Sequence, residues 1–80
     1  MKDLRTKIQD DDCIISDSRN GYIVKCELDN LGEFLEMDEC LDAINNWMKR
    51  NNFYPNIYFI NDHGNIHLIN LQGKIIQSQV

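Results

Sequence analysis

The stretch MDECLDAINNWMKRN, Met37 to Asn51, decides the fold. Met37, Cys40, Leu41, Ile44, Trp47 and Met48 recur at spacings of three and four. At about 100° per residue they fill one arc about 120° wide, the width of a core-facing helical stripe. Asp38, Glu39, Asp42, Asn45, Asn46, Lys49 and Arg50 take the other side. Glu36 reads as the N-cap and Glu39 as the N3 residue of an imperfect capping box, with Leu35 and Cys40 in the staple positions. Lys49 and Arg50 fall in the last turn, where cations suit the helix dipole, and Asn51-Asn52 can end the helix.

Upstream, Tyr22, Val24, Cys26 and Leu28 alternate with Ile23, Lys25 and Glu27, the period of a strand with one buried face. Asp29-Asn30-Leu31-Gly32 reads as the turn that follows, and Glu33-Phe34-Leu35 as a short returning strand. Before them, Cys13-Ile14-Ile15 is an apolar run closed by the turn-rich Asp17 to Gly21. Met1, Leu4 and Ile8 have the spacing of one or two helical turns, and Asp10-Asp11-Asp12 reads as a solvated turn that stops them.

Downstream of Pro55, Ile57 to Asn61 and Ile66 to Leu71 read as a hairpin around Asp62-His63-Gly64-Asn65, with Gly64 taking the left-handed position. Gln72-Gly73-Lys74 then turns into a last edge strand at Ile75-Ile76-Gln77. The fold class is therefore α+β: a small, mostly antiparallel sheet with one amphipathic helix packed on one face, forming a single domain over residues 1–80.

That hairpin is apolar on both sides. Ile57, Phe59, Ile66 and Leu68 are expected on one face, and Tyr58, Ile60, Ile69 and Leu71 on the other. One helix covers one face, so the second needs the N-terminal segment, a second copy or a partner. Tyr58, Ile60 and His67 are the candidates for such a contact or dimer face.

Charge bounds the function. With 13 acids against 8 bases the formal charge is −5, which argues against direct nucleic-acid binding, since Lys and Arg must displace phosphate counterions there. The acids are also segregated. From Cys26 to Met48 there is no Lys or Arg, yet Glu27, Asp29, Glu33, Glu36, Asp38, Glu39 and Asp42 all lie there. Acids suit a helix N-terminus and keep a small domain soluble. The excess forms a one-signed surface able to steer a basic partner or imitate phosphates. Asp29, Glu33, Glu36, Asp38, Glu39 and Asp42 are the candidate partner-binding residues.

Nothing in the chain has the pattern of a catalytic centre. His63 and His67 are four apart, but in a turn and on a strand rather than on one helical face, so no metal site is expected. Ser16, Ser18 and Ser78 stand in no nucleophile elbow, and Gly-rich phosphate loops are missing. Cys26 and Cys40 lie on apolar faces, and Cys13 adjoins acids that blunt a thiol. An odd count without CxxC suggests three reduced thiols and a cytoplasmic protein, in a host cell if phage-encoded. No cofactor is expected, and no stretch has the roughly 20 apolar residues that span a membrane.

GYIVKCELDNLGEF and LEMDECLDAI, together Gly21 to Ile44, resemble the strand, loop and helix of HicB-type antitoxins, although the Pro-Gly-Cys loop and Gly-Asp-Thr cap of that family are missing. That resemblance implies a small, basic, RNA-cleaving toxin as partner. PNIYFINDHGNIHLI, Pro55 to Ile69, following an amphipathic helix, is similar in type to the small acidic α+β proteins of phages and mobile elements, among them the anti-CRISPR inhibitors. It implies a non-enzymatic protein that inhibits a nucleic-acid-processing host defence system by occupying a basic surface of a host protein. A structural homo-oligomer built through the outer sheet, in its simplest form a homodimer, is the third expectation.

Overall fold

The computed structural model describes residues 3–79, so Met1 of the expected N-terminal turn lies outside the described residues. The elements are α1 (Leu4–Lys7), β1 (Cys13–Ser18), β2 (Gly21–Cys26), β3 (Asp29–Phe34), α2 (Met37–Asn51), β4 (Ile57–Ile60), β5 (Ile66–Ile69) and β6 (Ile75–Gln79). They form one sheet in the order β3-β2-β1-β4-β5-β6. Neighbours are antiparallel except β1 and β4, which run parallel with Ile15 opposite Phe59. The connection between those two strands contains α2, and the result is the expected α+β sheet with one main helix.

The stripe on α2 is the core. Cys40, Leu41, Ile44, Trp47 and Met48 are buried against Cys13 and Ile15 of β1, Val24 and Cys26 of β2, and Ile57 and Ile69 of the second hairpin. Asn52 takes the left-handed conformation at the C-cap, and its N–H donates to the Met48 carbonyl. The β1–β2 hairpin turns at Arg19-Asn20. Gly21 follows at φ 151°, where a Cβ would run into the carbonyl oxygen of Phe34, so only glycine lets β3 end that close.

Three local expectations change. The β2–β3 turn falls at Glu27-Leu28, with Cys26 opposite Asp29, and not at Asp29 to Gly32. Glu27 adopts φ 57°, a left-handed conformation uncommon for a residue with a Cβ. Gly32 instead serves the register shift opposite Val24 and Lys25, where its φ is 118°. Leu35 is 72% exposed, so it makes no hydrophobic staple with buried Cys40.

Third, Asp12 is no solvated turn residue: it is 7% exposed. Its Oδ2 accepts from Gln9 N at 2.9 Å and its Oδ1 from Asn56 N at 3.2 Å, clasping the N-terminal segment to the entry of β4.

The hairpin faces also differ from expectation. Ile60 pairs with Ile66 and Phe59 with His67, so the alternation puts Ile57, Phe59, His67 and Ile69 on the α2 side. Tyr58, Ile60, Ile66 and Leu68 share the other side, since cross-strand partners point the same way. There Leu4, Tyr58 and Ile66 form a second small core, joined by Ile8, Ile60 and Leu68. The N-terminal segment thus covers this half of the second face. Its hold is polar as well: Leu4 N donates to Gln79 Oε1 at 2.7 Å, and Lys7 Nζ to Gln77 Oε1 at 3.4 Å.

Candidate functional site

All six candidate acids are exposed, but the fold does not gather them into one patch. Glu36, Asp38, Glu39 and Asp42 crowd the start of α2. Asp38, Glu39 and Asp42 fall within about 100° of arc on the side away from the buried stripe. Leu35 lies beside them, exposed, at the strand-to-helix corner. Glu39 also works for the helix: its Oε1 accepts from Glu36 N at 3.0 Å.

Asp29 and Glu33 go elsewhere. Asp29 lies at the far end of β3, where its Oδ2 accepts from Trp47 Nε1 at 2.7 Å. Glu33 pairs with Ile23 in register, on the sheet face away from α2, and its Oε2 accepts from Ser18 Oγ at 2.5 Å. Both carboxylates therefore have structural employment that composition could not reveal.

His63 Nε2 lies 3.7 Å from Asp62 Oδ1, a contact that is an ion pair only when the imidazole is protonated. Among the described residues no Lys or Arg lies within ion-pairing distance of a carboxylate. No Lys or Arg within them neutralises the acids at the start of α2. The helix dipole favours negative charge there, so fold and charge agree, and the field projects outward over about a Debye length, near 8 Å at physiological salt. Lys49 and Arg50 stand at the other end of α2, making the exposed side of the helix acidic in its first half and basic in its last turn.

The secondary candidates do not form a face. Tyr58 is fully buried beneath α1 and cannot contact a partner. Its hydroxyl has no hydrogen-bond partner among the described residues, and burial raises its pKa above the ordinary 10.0. Ile60 packs into the same small core. His67 lies on the opposite side, stacked on Phe59 with ring centroids 5.9 Å apart, its Nδ1 2.7 Å from Ser78 Oγ. The strand parity that separates His67 from the other two follows from the length of the Asn61–Asn65 loop, which periodicity within each strand does not encode.

The cysteines also correct the expectation of three free thiols. Cys13 and Cys26, directly opposite on β1 and β2, are joined as a disulfide, and Cys40 alone is free. Burial pushes the Cys40 thiol up to about 11, so it stays protonated and unreactive near neutral pH. Spacing along the chain could not show a pairing created by strand register.

One concave feature was not anticipated. A groove of about 560 Å³ opens at the C-terminal end of α2, lined by Leu28, Asp29, Leu31, Trp47, Arg50 and Asn51 among others. Trp47, read as core, is indeed 1% exposed, and it lies among the residues lining the groove. Among the described residues no helix is long and apolar enough to cross a membrane.

Comparison with known proteins yields no matching family model, no similar curated protein and no similar solved structure.

Proposed function

We propose that this chain is a non-enzymatic binding protein that docks the start of α2 onto a basic, nucleic-acid-binding surface of another protein and so keeps nucleic acid off it. The observation that carries the reading is the exposed, unneutralised group Glu36, Asp38, Glu39 and Asp42 beside the exposed Leu35. Carboxylates spaced along a rigid helix can meet the Lys and Arg residues that otherwise hold phosphates. An apolar side chain among them gives the desolvated centre that carries affinity, while the charges set rate and selectivity. Inhibition of a host nucleic-acid-processing defence system, in the anti-CRISPR manner, is the form of this activity that the charge, size and compactness favour. Neutralisation of a basic RNA-cleaving toxin uses the same surface chemistry.

A cytosolic partner adds a condition. Thiols are kept reduced in that compartment, so the fold would there stand without the Cys13–Cys26 link.

The test is capture from host lysate at low salt, followed by a competition assay between the chain and labelled DNA or RNA for the captured protein. Wild-type chain should displace the nucleic acid, and less well as salt rises. Asp38→Lys combined with Asp42→Lys leaves the Glu39 cap in place and should abolish displacement, with circular dichroism and melting showing the variant folded. A folded double variant that still displaces nucleic acid normally refutes the proposal. Co-expression with the adjacent gene separates the two forms, since rescue from toxicity identifies a toxin as the partner.

A further inference from the structure

The groove at the C-terminal end of α2 lies away from the acidic start of the helix and presents different chemistry. At its rim Leu28 is 89% exposed, the most exposed large apolar side chain described. It sits at the tip of the two-residue β2–β3 turn, next to Glu27 in the left-handed region. Phe53 and Tyr54, also partly exposed, continue the apolar surface, and the Phe53 ring meets Trp47 edge-on with centroids 6.4 Å apart. Arg50 in the groove and the partly exposed Phe53 beside Trp47 are residue types enriched at protein contacts.

We infer that this end of the molecule binds a second copy of the same chain about a two-fold axis, each Leu28 seated in the groove of the other copy over Trp47. Two relationships on the surface select this occupant. First, knob and hollow lie side by side: Leu28 borders the groove it would fill in another copy. Such adjacency suits an isologous contact, in which one patch meets itself. Second, the charges of the patch complement themselves. Asp29 and Arg50 line the same groove, yet no ion pair joins them within one chain. A two-fold brings Asp29 of each copy to Arg50 of the other, making two equivalent pairs.

Charge disfavours the other end of α2 as the contact between two copies. The chain carries a net charge of −5, and like-signed contact between the acidic starts of α2 is repulsive. The groove balances one acid with one base, so the copies meet there without that penalty. This inference goes beyond the proposed function and is independent of it. The acidic ends of both copies stay outside the contact, so a dimer would present two of them.

Sedimentation of the full chain from micromolar to millimolar concentration is the test, with emission of the single tryptophan, Trp47, followed in parallel. Wild type should shift from monomer to dimer, and the emission should change over the same range. Leu28→Asp, at a turn tip outside the core, should raise the dissociation constant at least tenfold while leaving the melting temperature of the monomer unchanged. Asp29→Lys, which also gives up the Trp47 hydrogen bond, and Arg50→Glu should each be monomeric alone, since each places like charges across the axis. An equimolar mixture of these two should recover the dimer, because both cross-axis pairs are then again of opposite sign. A wild type that remains monomeric, a dimer indifferent to Leu28→Asp, or a mixture that fails to reassociate although both variants melt as folded proteins, overturns the inference.

Discussion

The indole Nε1 of Trp47 donates to Oδ2 of Asp29 at 2.7 Å, tying the last third of α2 to the first residue of edge strand β3. The bond links a buried ring to a carboxylate that faces water on its other side. Removing the acceptor leaves a buried N–H without a partner, a loss of about 1–3 kcal/mol. Asp29→Ala should therefore lower the unfolding free energy by that amount. Asp29→Asn, which keeps a carbonyl oxygen in place, should cost much less. Urea unfolding followed by tryptophan emission measures both, and equal losses would show that charge rather than the hydrogen bond matters.

Leu4 is completely buried against Tyr58 and Ile66 although it lies on a helix of only four residues. So short a helix has no stability of its own, and its position depends on that side chain and on the Gln79 bond. Leu4→Ala should cost about 2–5 kcal/mol, the range for truncating a buried leucine. Losing α1 from the sheet would also uncover the Tyr58 side, so binding of a hydrophobic dye should rise in step. A stable variant that binds no dye would mean that the sheet does not need this cover.

The Cys13–Cys26 link closes a loop between residues 13 apart in sequence. Cross-linking over such a span restricts the unfolded chain by about 3 kcal/mol. Purified protein unfolded without reductant should alkylate at one cysteine, Cys40, and at three after reduction. Reduction should lower the melting temperature with little change in far-ultraviolet circular dichroism, since the ladder hydrogen bonds do not depend on the link. Three alkylated thiols before reduction would show that the pair is not joined.

Cys40 gives stability a dependence on alkaline pH. Burial raises its thiol from 9.0 to about 11 in the folded chain. Between these values the unfolded chain releases the proton while the folded chain keeps it, so the unfolded state gains relative to the folded one. The contribution is complete below pH 9 and is lost as pH rises through about 11. Cys40→Ala should flatten this part of the stability profile, and equal slopes in the two proteins would exclude Cys40 as its source.

How far the sequence revealed these features depends on the range of the interactions involved. The α2 stripe, its Lys49-Arg50 end and the glycine-bearing turns at Gly64 and Gly73 are encoded within a few residues, and they match the structure. The β2–β3 turn is not legible locally because Asn30 and Gly32 have turn chemistry, whereas Glu27 adopts its left-handed conformation inside a tertiary framework. Asp12, Asp29 and Glu33 resemble any other surface acid in the sequence. Their partners lie up to 44 residues away in the chain, as with Asp12 and Asn56. The Cys13–Cys26 pairing likewise depends on cross-strand register. The start of α2 was legible as an acidic surface because its charges need no distant partner.

The bond from Leu4 N to Gln79 Oε1 has an architectural consequence. Leu4 and Gln79, near the two ends of the described residues, adjoin on the sheet face opposite α2. A domain with adjoining entry and exit can be inserted into a loop of another protein, or have its order rewired by joining the two and cutting at the exposed Asp62-His63 turn, with little distortion of either partner. Cargo attached at either junction would emerge behind the sheet, leaving the helix side free.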